Sequence, residues 1–430
     1  MRLTLMTALA VLAGPAAPLQ AQTVTADPTA AVDYSGTLKV LTKFGTQRLQ
    51  PYFVEIARAY EAARPGVTIE LIQEDDDSVK TKTKTLVASN AMPDVFFSWT
   101  GTWGGNFVRG QRAVELTLVV ASDWGKSLAP AVLDAFVYGG KNYGIPLYLD
   151  AKFMGYFKPA FAAAGVEVPK TLEDLLAACD KLKASGLTPI AIGNKEPWGA
   201  VHYLGQMLAY DEPRAVLEAD FDTATATYTD PGYVTALNHL GELAARCTVG
   251  PEMNRISCQT ALQSFSDGKA AMSYQEIIEF DNAASATTKL KPEEFGFFRL
   301  PAPADAKGDA KALEGAPEGY MVSSTSANVP LALDFLKFVT TPENGMVLSA
   351  PPYGQPSAVV GGAGPATMNP AVVAGLQDLA QASYLIQWLD TVNHRKVAAA
   401  WLSNLQAFLG GSMTADEVMT EVRAAGKAVK

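Results

Sequence analysis

Two tryptophans, Trp99 and Trp103, lie four residues apart in the glycine- and threonine-rich segment that follows the apolar run DVFF. An indole ring offers a flat apolar face on which the face of another ring can stack. Ligands of α/β sheets bind beyond the carboxyl ends of strands, so tryptophans placed just after a strand are candidates to line a binding site. We expect at least one of the two rings to face a cleft. The alternative is that one of them packs beneath the following helix.

Residue types that serve catalysis or metal binding are sparse in this chain. It has three histidines, His202, His239 and His394, and none of them falls in an H-E-x-x-H spacing. A G-x-S-x-G nucleophile elbow is also absent from the sequence. The motifs therefore indicate a protein that binds a ligand without catalysing a reaction, and we expect no metal ion or cofactor.

The composition is that of a globular protein. The 430 residues are 48% hydrophobic and 18% charged, which leaves room for two domains. The formal net charge is −10. Nucleic-acid binding requires clustered lysine and arginine to neutralise phosphate, so this acidic balance argues against nucleic acid as a partner.

The first residues have the pattern of an export signal. Arg2 precedes the apolar run LTLMTALAVLAG, which is too short to span a bilayer, and Ala21 stands at a plausible cleavage position. We interpret residues 1–21 as a signal peptide and residues 22–35 as a flexible N-terminal tail. The mature protein is then expected in the periplasm, without a lipid anchor because no cysteine lies at the cleavage position.

The elements that must position the tryptophans begin at residue 36. GTLKVLTKF, VTIELIQ and DVFFSW predict strands, and the segments between them predict helices. This order indicates an α/β fold whose parallel sheet is covered on both faces. The charges of residues 75–84 are interpreted as the solvated face of the second helix. Thr171 is a predicted N-cap, with Glu173 and Asp174 in the first turn of its helix.

Three cysteines are present. Cys247 and Cys258 bracket a loop with Gly, Pro and Asn, and in an oxidising compartment this spacing predicts a disulfide between them rather than a metal site. Cys179 shares a helical spacing with several leucines, which predicts a small buried apolar residue.

Several segments occur in an order that matches a known family. They are ARPGVTIEL, ASNAMPDVFF, YGIPLYLDAKFMGYFKPAFAAAGVEVPKTLEDLLAACDKL, FSDGKAAMSY, GYMVSSTSANVPLALDFLKFVTTPENG and GGSMTADEVMTEV. In their order and spacing the chain resembles the extracellular solute-binding proteins of bacterial ABC importers, in the group that includes maltose- and oligosaccharide-binding proteins. The resemblance extends over almost the whole mature chain.

This resemblance implies an α/β, two-lobe periplasmic-binding-protein fold with three interlobe crossovers and a central ligand cleft. The N-terminal lobe is expected to comprise residues 36–145 plus 298–350, and the C-terminal lobe residues 147–297 plus 351–430. The crossovers are expected at three short connections, near Ile145–Pro146, Phe298–Arg299 and Ser349–Pro352.

A carbohydrate ring has an apolar C–H face and a rim of hydroxyl groups, so its site combines aromatic faces with carboxylates and amides. The residues that the resemblance places at the ligand are Asp150, Glu196, Trp198, Tyr274, Gln275 and Glu276. Further candidate ligand-binding residues lie at the ends or starts of predicted strands, or in the segment YLIQWLD. They are Phe44, Gln47, Glu318, Gly319, Tyr320, Trp388 and Asp390. A core position is the alternative for Tyr274 and Trp388, and a surface carboxylate is the alternative for Asp150. Lys152 would favour an anionic sugar if it faced the cleft, and solvent exposure is its alternative.

The resemblance implies the solute-binding component of an ABC importer. Such a protein captures a mono- or oligosaccharide, or a sugar derivative, by hinge closure and delivers it to membrane permease subunits. We expect a monomer, and no maltodextrin preference because SWTGTW lacks the charged pair that maltose-binding proteins carry. Two alternatives stay open. One is a binding protein for a non-sugar polar solute such as a polyamine or a phosphate ester. The other is a secreted carbohydrate hydrolase, in which Asp150 and Glu276 could form the carboxylate pair.

Overall fold

The structure is a computed structural model that describes residues 23–285 and 288–430. The predicted signal peptide, residues 1–21, lies outside the described residues. Part of the predicted tail is anchored to the fold, because Thr25 bridges to Glu115 and Ala26 is buried. Flexibility of residues 22–35 stays a prediction.

The strands of the described residues are β1 (Gly36–Thr42), β2 (Val67–Gln73), β3 (Val95–Trp99), β4 (Val137–Tyr138), β5 (Lys141–Asn142), β6 (Ile145–Phe157), β7 (Thr188–Ile190), β8 (Ala270–Glu276), β9 (Phe295–Phe298), β10 (Leu313–Val322) and β11 (Leu385–Ile386).

The α-helices of the same residues are α1 (Gln50–Ala63), α2 (Asp76–Ala88), α3 (Gly101–Arg109), α4 (Thr117–Val120), α5 (Asp123–Lys126), α6 (Pro130–Asp134), α7 (Lys158–Ala164), α8 (Leu172–Ala184), α9 (Trp198–Asp211), α10 (Arg214–Phe221), α11 (Gly232–Cys247), α12 (Cys258–Ser266), α13 (Phe280–Ala283), α14 (Val329–Val339), α15 (Pro342–Ser349), α16 (Pro370–Leu379), α17 (Leu389–Val392), α18 (Arg395–Leu409) and α19 (Ala415–Lys427). Short 3₁₀ helices cover Gly250–Arg255, Ile277–Glu279 and Pro292–Glu294.

One mixed sheet runs through the molecule. Its strands lie in the order β2-β1-β3-β10-β6-β8-β7, with β9 on β6 and β11 on β10. β1 pairs in parallel with β2 and β3, as the alternation of strands and helices predicts. β10 is antiparallel to both β3 and β6. The carboxyl end of β3 therefore lies beside the middle of β10, where Trp99 pairs with Glu318.

Strand β6 joins the two halves of the sheet. Residues 145–151 pair with β10, whereas residues 152–156 pair with β8 and residues 154–157 with β9. Two hydrophobic clusters cover the sheet. One contains the inner faces of β1, β3, β10, α1 and α14 and extends past β6 to buried residues of α12, α13 and β9, and the other contains those of α8, α9, α11, α18 and α19.

The three predicted crossovers fall at element boundaries. β6 begins at Ile145, β9 ends at Phe298 and α15 ends at Ser349. The lobe boundaries themselves stay a prediction. Buried residues between 353 and 372 pack in the cluster of β1 and β3, although this segment was assigned to the C-terminal lobe.

The helix start that was predicted at Thr171 agrees with the structure. Thr171 Oγ1 accepts a hydrogen bond from the Asp174 amide at 3.2 Å, and Asp174 Oδ2 accepts one from the Thr171 amide at 3.2 Å. This reciprocal pair is a capping box, and the predicted N-cap is confirmed. Among the described helices, none is long and apolar enough to pass through a bilayer.

The predicted disulfide between Cys247 and Cys258 is wrong. Cys247 is bonded to Cys179, with 5.1 Å between their Cα atoms, and Cys258 is free. Cys179 on α8 and Cys247 on α11 are both buried in the second cluster, so the packing of these helices brings them together. Cys258 begins α12, and its Sγ donates a hydrogen bond to the Gly193 carbonyl at 3.4 Å.

Candidate functional site

Most of the predicted ligand-binding residues converge on one cleft between the two halves. On one side the cleft is bordered by α2 and by the ends of β1 and β3. On the other side it is bordered by the start of α9, the end of β8 and the start of α17. β6 and β10 cross beneath it and supply its floor.

Two large cavities occupy this cleft, and Trp198 borders both. The first measures about 480 Å³ and is lined by Lys43, Thr46, Gln47, Arg48, Leu49, Asp75, Asp76, Asp77, Trp198, Cys258, Gln259, Glu276, Ile278, Glu279 and Asn282. The second measures about 460 Å³ and is lined by Asp77, Lys80, Thr81, Lys84, Trp103, Asn106, Lys195, Glu196, Pro197, Trp198, Asp390, Thr391, Asn393, Arg395, Ala398, Ala399 and Leu402. Each is large enough for a small-molecule ligand.

Trp198 stands between the cavities as the first residue of α9. Its Nε1 donates a hydrogen bond to Asp77 Oδ1 on α2 at 2.9 Å, which joins the two sides of the cleft. On the ring's inner side lie the His202 imidazole, at 5.3 Å between centroids, and Lys152 Nζ, at 5.5 Å. The indole is therefore held in place while parts of it remain available to both cavities.

Trp99 and Trp103 occupy different positions relative to the cleft. Trp99 is 4% exposed at the end of β3, and its ring meets that of Trp103 edge to face at 5.3 Å. Lys80 Nζ lies 4.9 Å from the Trp99 ring centroid. Trp103 lies on α3 and lines the 460 Å³ cavity, whereas Trp99 is not among the residues that line this cavity.

A buried cluster around Lys43 forms part of the floor. Lys43 Nζ lies 2.6 Å from Glu318 Oε2 and 3.1 Å from Asp76 Oδ1. Tyr148 also donates a hydrogen bond to Glu318 Oε2, at 2.5 Å. Burial disfavours the charged ammonium, but Glu318 together with Tyr148, Asp76 and Glu276 outweighs burial and holds the pKa of Lys43 above its usual value.

A second cluster joins α2 to α9 and α17. Lys80 Nζ lies 2.7 Å from Asp390 Oδ2, and His202 Nε2 lies 3.6 Å from Asp390 Oδ1. The His202 ring stacks on Trp388 at 4.7 Å. Although burial opposes ionisation, Lys80 lowers the pKa of Asp390 far below its usual range, while burial and Lys152 lower the pKa of His202. The imidazole is therefore neutral near pH 7.

A third cluster lies where β6 pairs with β8. Lys152 Nζ is 3.4 Å from Glu276 Oε1. Burial raises the pKa of Glu276, but Lys152 together with Lys43 and the other neighbouring groups outweighs burial and brings the pKa to about 2. Asp150 is fully buried beside it, and burial together with the Glu276 charge raises its pKa well above the usual range. Tyr274 donates a hydrogen bond to Glu314 Oε2 at 3.4 Å. Lys152 is 3% exposed, so the expected solvent-exposed alternative does not apply to it.

Four predicted site residues lie away from the cavities. Phe44 is fully buried and packs edge to face on Phe53. Gln275 points to the opposite face of β8 from Tyr274 and Glu276, because side chains alternate along a strand. Gly319 makes its close approach to the neighbouring strand rather than to a ligand, since an added Cβ would lie 2.2 Å from the Ile145 carbonyl oxygen. The Tyr320 hydroxyl donates to Thr42 Oγ1 in the core, at 2.7 Å.

The remaining predicted residues lie at or directly beneath the cleft. Gln47 lines the 480 Å³ cavity. Glu196 lines the 460 Å³ cavity, and its Oε2 accepts a hydrogen bond from the Cys258 amide at 3.1 Å. A void of about 10 Å³ between the cavities is bordered by Trp99, Trp198, Glu276, Glu318, Trp388 and Asp390, among others.

Four residues of the cleft were not predicted to be site residues, namely Lys43, Tyr148, His202 and Glu279. α2 was interpreted as a solvated helix. That interpretation is wrong for Lys80, which pairs with Asp390 across the cleft. Asp76, one helical turn earlier, borders the 480 Å³ cavity although its side chain is 42% exposed, and Lys84 borders the 460 Å³ cavity. A signal was available, because charged residues at i, i+4 and i+8 share one face of a helix.

Residues 46–346 match the sequence profile of a family described as bacterial extracellular solute-binding protein. The chain belongs to this family. Among the relatives of this solute-binding protein, a binding protein of Brucella abortus (strain 2308) is 24% identical over 310 residues, which cover 71% of this chain and 72% of that protein. The alpha-glucosides-binding periplasmic protein AglE of Rhizobium meliloti (strain 1021) is 24% identical over 306 residues, which cover 66% of this chain and 64% of that protein.

The fold is shared with solved structures. A chitin oligosaccharide binding protein superposes with a TM-score of 0.83 at 22% identity, over 92% of this chain and 99% of that one. The predicted two-lobe α/β fold is thereby confirmed. In the described residues, no group of three or more His, Cys, Asp and Glu side chains is arranged to hold a metal ion.

Proposed function

We propose that this solute-binding protein captures a carbohydrate for an ABC importer. The observation that carries the proposal is the placement of Trp198 between two cavities whose walls are rich in carboxylates, amides and hydroxyls. An aromatic face suits the C–H face of a sugar ring, and carboxylates suit its hydroxyls. The names of relatives that bind alpha-glucosides and chitin oligosaccharide support the same ligand class.

The mechanism that we propose is closure of the two lobes around the ligand without chemistry. Asp77 and Lys80 from α2 already contact Trp198 and Asp390 from the other side. A ligand with contacts on both sides shifts the equilibrium towards the closed form by its differential affinity for that form. Closed protein would then deliver the sugar, unaltered, to permease subunits from a periplasmic location, acting as a monomer.

A screen against mono- and oligosaccharides tests this function. Purified mature protein is expected to show a higher Tm with its ligand, and titration calorimetry is expected to give one ligand per chain. X-ray scattering should show a smaller radius of gyration when the ligand is bound, because closure makes the molecule more compact.

Product analysis of the same incubations separates binding from catalysis. We expect the sugar to be recovered intact. Release of shorter sugars in molar excess over protein would favour the hydrolase, and binding of a polyamine or phosphate ester without any carbohydrate would favour the other solute class.

A further inference from the structure

A third cavity adjoins the 480 Å³ cavity at Trp198. It measures about 40 Å³, which is room for about three water molecules. Its wall is formed by β6, β8, the residues that follow β7 and the first turns of α9 and α12. Trp198, Cys258 and Glu279 border both this cavity and the 480 Å³ cavity. We call the smaller cavity the side pocket, since a substituent of a ligand in the larger cavity would reach it past these shared residues.

One part of the side pocket is apolar. It consists of the buried side chains of Ala191, Ile192, Ala261 and Leu262. Covering apolar surface with another apolar group is favourable because it removes both surfaces from water. This wall therefore favours an occupant that carries a methyl group over one that offers a hydroxyl group alone.

The other part of the side pocket contains two hydrogen-bond donors. Tyr203 is 2% exposed, and its hydroxyl has no hydrogen-bond partner among the described residues. Lys152 is 3% exposed, and its Nζ lies 3.4 Å from Glu276 Oε1, which is longer than the about 2.8 Å of a charge-assisted hydrogen bond. A buried donor that lacks an acceptor is costly, so both groups favour an occupant that supplies an oxygen atom.

The charges around the side pocket favour a neutral acceptor. Lys152 is already balanced by Glu276, whose pKa of about 2 keeps its carboxylate ionised near pH 7. Burial and the Glu276 charge raise the pKa of Glu279 to about 7, although Lys152 and Arg48 lower it. A carboxylate or phosphate group of a ligand would add negative charge beside these two carboxyl groups and would be repelled. The occupant therefore needs a neutral oxygen acceptor, such as a carbonyl group.

Resting on the proposed function, we propose that the bound carbohydrate carries an N-acetyl group and that this group fills the side pocket. An acetamido group consists of a nitrogen, a carbonyl and a methyl group, and it fits a volume of about three water molecules. Its carbonyl oxygen accepts hydrogen bonds from the Tyr203 hydroxyl and Lys152 Nζ, and its methyl group covers the apolar wall. Its N–H donates to Glu279, where the two cavities meet, while the sugar ring stays in the 480 Å³ cavity against Trp198.

The test compares carbohydrates that differ in one kind of substituent. N-acetylglucosamine, N-acetylgalactosamine and their disaccharides are titrated by calorimetry beside glucose, galactose and the disaccharides of the same linkage, which carry a hydroxyl in place of each acetamido group. We expect an acetamido sugar to bind at least about tenfold more tightly than its hydroxyl counterpart, because it covers the apolar wall and supplies an acceptor to two buried donors. Equal affinity, tighter binding of the hydroxyl sugar, or binding only of carbohydrates without an acetamido group would overturn the N-acetyl group and leave the proposed function standing. Absence of binding to every carbohydrate in the screen would overturn the proposed function itself.

Two variants locate the acetamido group. Tyr203→Phe removes one oxygen atom and should reduce the preference for the acetamido sugar at least about threefold. Tyr156→Phe is the matched control, because Tyr156 borders none of the three cavities, and it should leave the preference unchanged. Ala261→Leu fills the side pocket and keeps a good helix former in α12; it should abolish the preference but retain binding of the hydroxyl sugar. An unchanged preference in Tyr203→Phe would contradict the proposed location even if Ala261→Leu does not fold.

Discussion

The disulfide between Cys179 and Cys247 allows a quantitative prediction of the free energy of unfolding. The two cysteines are 68 residues apart in the sequence and both are fully buried. In the chain-entropy account, a cross-link stabilises a protein by restricting its unfolded chain, and the effect grows with the length of the closed loop. For a separation of 68 residues this amounts to about 4 kcal/mol at 25 °C.

Single alanine substitutions of all three cysteines measure this contribution. Cys179→Ala and Cys247→Ala should each lower the free energy of unfolding by about 4 kcal/mol, and the double variant should lose no more than about 1 kcal/mol beyond either one, since the cross-link can be lost only once. Cys258→Ala is the matched control, because that thiol is free and partly exposed; it should cost less than about 1 kcal/mol.

Urea unfolding of oxidised protein gives these free energies from the midpoint and the slope. Peptide mapping without reductant should recover one cross-linked peptide pair, which contains Cys179 and Cys247. The reasoning fails if Cys258→Ala costs as much as Cys247→Ala while Cys179→Ala is neutral, because the bridge would then be the one expected from sequence spacing.

Substitutions at three further positions test the cleft. Trp198→Ala should weaken ligand binding about thirtyfold, or by about 2 kcal/mol, while Trp198→Phe should retain most of the affinity. Calorimetry measures both affinities. Unchanged affinity in the alanine variant would show that this ring does not bind the ligand. Asp390→Asn should lower the free energy of unfolding by about 3 kcal/mol, because Lys80 is left without its carboxylate partner. A loss below about 1 kcal/mol, which is typical of a solvent-exposed ion pair, would contradict this prediction. Burial and the Glu276 charge raise the pKa of Glu279 to about 7, so its contribution to stability is present below about pH 4.3 and lost as the pH rises through about 7. Glu279→Gln should therefore raise the Tm of unliganded protein at about pH 8 but not at about pH 4, and parallel Tm profiles for variant and parent would refute the shift.

Patterns local in the sequence were sufficient for several parts of this protein. Alternation of apolar runs with helical spacing indicates β1 to β3 and the helices between them, because each element must bury one face or both. The capping box at Thr171 needs only neighbours three residues apart. Trp103, which follows β3, could also be proposed, since the ends of strands in such sheets meet at a common cleft, whereas Glu196 was placed at the ligand by the family resemblance.

The partner of each residue was decided only by the tertiary structure. Helical spacing shows that Cys179 is buried, but not that α11 covers it and supplies Cys247. In the same way, the charges of α2 taken alone are typical of a solvated helix. Only the tertiary structure shows that α9 and α17 face α2 and that Lys80 is the ion-pair partner of Asp390. Periodicity in the sequence indicates which face of an element is covered, whereas long-range packing determines which residues cover it.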